Sequence, residues 1–180
     1  MGALAPAGAQ GISDAAGLYF CSGNEQYLVL NLEEWASMRQ TFYHETAHAI
    51  DCHINGTAYQ SFQSGEWESL NPEGFSYAYS YAEDQEALNG SWVAGLSLSE
   101  PAYFVDTYSK TFPAEDRARI LEYAMAFGDL PVYFQEGPIQ QKLSYLCSRI
   151  RETFDTAGWP EKTLWEAPLK ENLKDFEKTN

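Results

Sequence analysis

Residues 32–54 contain neither Gly nor Pro, and this stretch constrains the fold of the chain more than any other feature. Asn31, followed three residues later by Glu34, has the pattern of a helix N-cap with an N3 carboxylate. The first strong breaker downstream is Asn55-Gly56. The sequence therefore predicts one long helix over residues 32–54.

The second half of this helix carries His44-Glu45-Thr46-Ala47-His48. Residues four positions apart in a helix lie about 40° from each other around the axis, so both imidazoles can reach one metal ion. Glu45 borders the same face and suits a general base acting on a metal-bound water. The spacing predicts zinc on His44 and His48. The structural alternative is a pair of half-buried histidines, and His53, pointing away from this face, is predicted to be structural.

A catalytic zinc normally has three protein ligands and one open position, so a third ligand must come from elsewhere. Asp51 and Ile54 stand where a metzincin would need Gly and His, which excludes that class. Glu115 is the preferred candidate because it lies near the start of a later helix, where Ala118 would allow close approach to the first helix. The competing acids are Asp116, Glu100 and Asp106.

The remaining segments predict a small hairpin and further helices. Residues 18–21 and 25–30 flank Ser22-Gly23-Asn24, which favours a β-hairpin. Residues 56–113 are rich in Ser, Gly, Tyr and Trp and indicate loops with short helices. A helix is expected from Thr111-Phe112-Pro113, with Thr111 as a capping hydroxyl, to Gly128 as its C-cap.

The clearest helix follows Gly137-Pro138 and ends before Gly158. Its apolar residues repeat at helical spacing and form one stripe: Ile139, Leu143, Leu146, Ile150 and Phe154. Residues 171–178 predict a weakly anchored surface helix. Together these elements predict an α+β fold in which helices predominate.

Length and composition favour one domain over residues 17–180 after a flexible leader at 1–16. The net charge is −15, and residues 1–109 hold one basic side chain against fourteen acidic ones. Such a surface disfavours nucleic acid and anionic membranes as partners and favours basic or neutral substrates, although acidity alone also serves solubility.

The three cysteines, Cys21, Cys52 and Cys147, are expected to be buried free thiols.

The segment HETAH at 44–48, with YSKTFPAEDRA at 108–118, resembles the gluzincin zinc metallopeptidases. The chain is most similar to the lethal-factor-like group, which includes the catalytic domain of anthrax lethal factor and the Pro-Pro endopeptidases. Segments around Trp67 and Phe75 also resemble uncharacterised bacterial zinc peptidases. Two positions depart from the group: Arg119 stands where it often has an acid, and Ala47 where it often has Gly.

The resemblance implies a zincin-like catalytic domain that hydrolyses peptide bonds with one zinc ion. It implies Glu115 as the third ligand and Tyr108 as a donor to the transition-state oxyanion. It also implies that strand 25–30 holds an extended peptide or protein substrate, and that the protein works outside the cell or in the cell envelope, although the chain shows no export signal. Asp51 is expected to be a solvated surface acid or, less favoured, a partner of a ligand imidazole.

Two other classes of function are weighed against hydrolysis. The first is a catalytically silent zincin-fold module that binds a peptide or protein partner through the aromatic segment 59–108. The second is a zinc-free helical interaction domain. Retention of Glu45 argues against the silent module, and metal content separates both zinc-binding alternatives from the zinc-free one.

Overall fold

Two strands and three helices make up the regular structure of the part of the chain that the computed structural model describes, residues 15–22, 25–33, 36–81, 89–96, 100–127 and 130–169. The strands are β1 (Gly17–Ser22) and β2 (Glu25–Leu30), and the helices are α1 (Met38–Asn55), α2 (Pro113–Ala126) and α3 (Pro138–Thr153). Single 3-10 turns cover Glu68–Leu70, Tyr108–Lys110, Val132–Phe134 and Leu164–Glu166. These elements form a small α+β fold, which agrees with the predicted fold class.

The hairpin forms as predicted, with β1 antiparallel to β2 and Gly17 opposite Leu30. Aromatic stacking stabilises the pair, since the rings of Phe20 and Tyr27 lie 5.0 Å apart. The Asn31 N–H donates to the Ala16 carbonyl at 2.8 Å, which extends the ladder by one residue pair. Residues 23 and 24 of the predicted turn lie outside the described residues.

Helix α1 begins at Met38, six residues later than predicted. The Asn31 side chain accepts a hydrogen bond from the Glu33 N–H at 3.0 Å, so it closes a local turn instead of capping a helix. The predicted end is correct within one residue, because the chain leaves the helix at Gly56 with φ 66°, a conformation that favours glycine.

Helix α2 begins at Pro113, where the missing N–H costs nothing in the first turn. The predicted cap Thr111 is wrong: its hydroxyl donates to the Tyr108 carbonyl at 2.7 Å, and Phe112 occupies the cap position without a side-chain bond. The helix ends at Ala126, and Gly128 lies outside the described residues.

Helix α3 confirms the apolar stripe, because Ile139, Leu143, Leu146 and Ile150 are all buried in one core. Helices α1 and α2 pack against each other in the same core. Ala47 of α1 and Ala118 of α2 are both 0 % exposed, and such small side chains let two helices approach closely. This packing brings the first turn of α2 to the histidine face of α1.

Buried charges join these helices around the start of α2. Lys142 of α3, which is 0 % exposed, donates to Asp116 Oδ2 at 2.7 Å, and the Tyr77 hydroxyl donates to the same oxygen at 2.8 Å. The Lys142 ammonium also lies 4.1 Å from the ring centroid of Phe104, a cation–π contact. A buried charge is tolerated only when it is paired in this way, so the network fixes α2 against α3 next to Glu115.

The three cysteines are free, as predicted, but they are not all buried. Only Cys147 is buried; Cys21 is exposed on β1 and Cys52 is half-buried on α1. No helix among the described residues is long and apolar enough to cross a bilayer. The expected leader at residues 1–16 and surface helix at 171–178 lie almost wholly outside the described residues.

Candidate metal centre

Three side-chain atoms from two helices converge at one point on the surface of α1. His44 Nε2 lies 3.1 Å from His48 Nε2 and 3.1 Å from Glu115 Oε2, and His48 Nε2 lies 3.2 Å from the same carboxylate oxygen. Among the described residues, these three side chains form a group that could hold a metal ion. The structure thus brings together all three residues predicted as ligands.

The triangle has the composition and the size that a zinc ion requires. Two imidazole nitrogens and one carboxylate oxygen are a known catalytic zinc set, which leaves one coordination position open. Tetrahedral ligand atoms at ~2.0–2.2 Å from zinc lie about 3.3–3.6 Å from one another. The edges of 3.1 to 3.2 Å are close to that separation, so the donors fit the ion without rearrangement.

Glu115 occupies the first turn of α2, where the helix dipole favours an anion. Burial by itself would raise the pKa of this carboxyl, which is 2 % exposed, but hydrogen bonds from His44 and His48 outweigh burial and lower the pKa well below its usual range. Glu115 is therefore ionised at neutral pH, as a metal ligand must be.

His44 lies between two carboxylates. Its Nε2 faces Glu115, while its Nδ1 lies 3.0 Å from Oε2 of Glu122, which is 1 % exposed. Burial favours the neutral ring, but the two carboxylates outweigh it and raise the pKa of His44 to about 9. The same field that favours a proton favours a metal cation, and the two compete for the Nε2 lone pair.

Glu45 is buried beside the triangle and faces β1. Its carboxylate lies next to the backbone of Gly17 and Tyr19. A Cβ added to Gly17 would lie 2.8 Å from Glu45 Oε1 and would also collide with Thr41, so a larger residue at position 17 would displace these two side chains. Burial raises the pKa of Glu45, against the opposing effect of the two histidines. A raised pKa brings a carboxylate closer to the value at which it accepts a proton efficiently.

Two tyrosines border the triangle, and the sequence indicated only one of them. The ring of Tyr108, the predicted oxyanion donor, lies 6.1 Å from that of His44 and is 39 % exposed. Tyr81 stacks on Tyr108 at 5.9 Å and donates from its hydroxyl to Glu115 Oε1 at 2.7 Å. This bond occupies the oxygen of Glu115 that does not face the histidines. No local spacing could reveal Tyr81, because 34 residues separate it from Glu115.

The other candidate acids lie away from the triangle. Asp116 is paired with Lys142, Asp106 with Arg119, and Glu100 accepts from the Trp92 N–H at 3.2 Å. His53 is not part of the triangle, as predicted, and its ring lies 4.6 Å from that of Phe154.

Both predictions for Asp51 are wrong. It is 6 % exposed and therefore not a solvated surface acid, and its carboxylate accepts from Nε and Nη2 of Arg117 at 2.6 and 2.9 Å, not from a ligand imidazole. The pattern did not reveal this because the partner lies 66 residues away on α2. The pair joins α1 to α2 one helical turn beyond His48.

Asp51→Ala should therefore destabilise the fold by about 3–5 kcal/mol, the usual cost of leaving a buried cation unpaired. Urea unfolding of the metal-free protein measures this loss. Glu152→Ala breaks the exposed Arg149–Glu152 pair of α3 and is the matched control, with an expected change of ~0–1 kcal/mol. Equal losses in the two variants would contradict a stabilising role for the Asp51–Arg117 pair.

A cleft of about 430 Å³ opens over the triangle. Residues of β1 line this cleft together with Ala15, two residues before the strand, and Tyr81 and Tyr108 line it as well. Among the described residues that line this cleft, none belongs to β2. The strand that lines the cleft is therefore β1, whereas the resemblance implied strand 25–30 as the one that holds the substrate.

Comparison with family models, curated protein sequences and solved structures found no match for this chain. The functional interpretation therefore depends on the geometry of the described residues.

Proposed function

We propose that this protein is a zinc-dependent metallopeptidase of zincin-like fold that hydrolyses peptide bonds in the cleft beside β1. The observation that carries the proposal is the triangle of His44 Nε2, His48 Nε2 and Glu115 Oε2, with edges of 3.1 to 3.2 Å at the base of an open cleft. Zinc bound there would polarise a substrate carbonyl and lower the pKa of water to about 7.

Glu45 is the general base in this proposal. It lies next to His44 in the chain and lines the cleft, and its side chain packs against the backbone of Gly17 and Tyr19. Its carboxylate accepts a proton from the attacking water and passes it to the departing amine when the C–N bond breaks. The backbone of β1 keeps this carboxylate in place, which limits the reorganisation needed during the reaction.

Tyr108 is the proposed donor to the oxyanion. Its ring lies 6.1 Å from the ring of His44, and Tyr108 lines the cleft. Burial and the negative charge of Glu115 raise the pKa of Tyr108, so the hydroxyl stays protonated and able to donate. Tyr81 has a different role, since its hydroxyl is bonded to Glu115 and holds that ligand in one orientation.

The free edge of β1 is the proposed binding site for the substrate backbone. Because the Ala16 carbonyl accepts from the Asn31 N–H, the alternation of an antiparallel ladder turns the backbone carbonyls of Gly17 and Tyr19 towards the other edge, where the cleft lies. An extended peptide can pair with such an edge. The acidic first half of the chain favours basic or neutral residues in that peptide.

Metal content and its link to hydrolysis test the proposal. Protein purified without chelator should contain about one equivalent of zinc, and chelation should abolish cleavage of a mixed peptide library until zinc is restored. His48→Ala should lose the metal, whereas the control His53→Ala should keep it, because His53 packs on Phe154 away from the triangle. Less than about a tenth of an equivalent of zinc in the unaltered protein would contradict the proposal.

A further inference from the structure

A row of charged side chains runs behind His44, on the side away from the cleft. Glu122 Oε2 lies 3.0 Å from His44 Nδ1 and accepts from Arg119 Nη1 at 2.7 Å. Arg119 also donates through Nε to Asp106 Oδ2 at 2.8 Å, and its Nη2 contacts the same oxygen. The row thus connects His44 to Asp106 through two residues of α2.

Helical spacing explains why these side chains meet. Glu115, Arg119 and Glu122 are separated by four and three residues, so they lie on one face of α2 over two turns. That face is turned towards α1. Glu115 approaches His44 from the cleft side and Glu122 approaches it from the opposite side, with both carboxylates at 3.0 to 3.1 Å.

The contact with Glu122 decides which nitrogen of His44 is available to a metal. A neutral imidazole has one N–H donor and one lone pair. The Glu122 carboxylate can only accept, so it selects the tautomer with the proton on Nδ1 and leaves the lone pair on Nε2, within the triangle. Glu122 is itself buried and bonded to Arg119. The His44 imidazole therefore cannot turn without losing its contacts with Glu122 and Glu115.

Arg119 also touches the segment that carries the proposed oxyanion donor. Its guanidinium carbon lies 5.5 Å from the centroid of the Tyr108 ring. Its partner Asp106 accepts through Oδ1 from the N–H and the hydroxyl of Ser109, at 2.9 and 3.0 Å, and so closes the 3-10 turn at Tyr108–Lys110. One arginine therefore contacts both the carboxylate behind His44 and the turn of Tyr108.

We propose that Glu122 and Arg119 are positioning residues of this site: Glu122 fixes His44 as an Nε2 ligand, and Arg119 holds Glu122 and Tyr108 in one arrangement. The proposal rests on the proposed function. Neither residue contacts substrate, and their effects are expected on metal affinity and on kcat, with little change in KM.

Zinc affinity, measured by competition with a chromophoric chelator, tests the role of Glu122. Glu122→Met removes the acceptor at similar volume and should weaken zinc binding ~10- to 100-fold, the usual effect of losing the partner of a ligand imidazole. Glu122→Gln keeps an oxygen acceptor for Nδ1–H and should recover most of the affinity. The visible absorption spectrum of the cobalt-substituted protein should change in Glu122→Met, because His44 is no longer held in one orientation.

The role of Arg119 is tested by Arg119→Met, which should lower kcat for a cleaved peptide more than it changes KM, with Arg119→Lys restoring part of the loss. The matched control is Arg149→Met on α3, where Arg149 bonds Glu152 at the same spacing of three residues and at 2.7 Å on the surface. It should change neither the zinc affinity nor the cobalt spectrum.

The outcomes separate this inference from the proposed function. If the unaltered protein binds zinc but Glu122→Met changes the affinity by less than about twofold, the positioning role is overturned and the metallopeptidase proposal stands. If zinc binds and depends on Glu122 but no peptide is cleaved, the role of Glu122 stands and hydrolysis is contradicted. Absence of zinc binding in the unaltered protein overturns both. Should Glu122→Met fail to fold, Arg119→Met decides: a kcat within about twofold of the unaltered protein overturns the positioning role.

Discussion

Glu45→Gln is expected to lower kcat for peptide hydrolysis by ~10²–10⁴-fold, the range that general acid–base catalysis contributes. The amide has the shape of the carboxylate but cannot accept a proton from water. Zinc content should stay at that of the unaltered protein, because Glu45 contributes no atom to the triangle. Peptide cleavage followed by mass spectrometry, with metal analysis of the same sample, measures both quantities.

Glu73→Gln is the matched control, since Glu73 is an exposed acid outside the cleft and its change should leave both quantities unaltered. Hydrolysis that survives Glu45→Gln at more than about a tenth of its rate would contradict the role of Glu45. A protein that binds zinc but cleaves no peptide even with Glu45 intact would favour the catalytically silent binding module.

Glu115→Gln is expected to weaken zinc binding by more than the ~10- to 100-fold that follows loss of a supporting partner, because here a ligand itself loses its charge. The carboxylate oxygen lies 3.1 and 3.2 Å from the two imidazole nitrogens, and no other described acid is placed to replace it. Hydrolysis should fall in proportion to zinc occupancy and should partly return at high zinc concentration.

The variant keeps the volume of a side chain that is 2 % exposed, so thermal unfolding of the metal-free protein shows whether the fold is retained. Glu152→Gln on the exposed surface of α3 is the control and should bind zinc normally. Zinc affinity within about tenfold of the unaltered protein would mean that Glu115 is not a ligand.

Local sequence patterns predicted the parts of the structure that depend on neighbouring residues. The spacing of His44 and His48 follows from the helical repeat alone, and so does the buried stripe of α3. The hairpin followed from the short apolar or aromatic runs at 18–21 and 25–30 and from the turn composition between them. Glu115 could be chosen from the acids of a later helix because α2 begins at a proline and carries a small Ala118.

Local capping patterns were less reliable. Asn31 and Thr111 both have the residue type of an N-cap, but each hydrogen-bonds within a preceding turn, and α1 begins six residues later than predicted. Short polar side chains stabilise turns as readily as helix ends, so tertiary packing decided between the two.

Only the tertiary structure decided which distant groups face the histidines. The contacts concerned join residues that are 34 to 78 positions apart in the chain: Glu122 with His44, Tyr81 with Glu115, and Asp51 with Arg117. No local sequence pattern distinguishes these residues from the other acids, aromatics and bases of the chain. The close packing of α1 on α2, with Ala47 and Ala118 fully buried, brings these groups within hydrogen-bond distance. The helical repeat thus determined the pair of imidazoles, whereas burial between two helices determined what surrounds them, because hydrogen bonds between distant residues are stronger where packing excludes water.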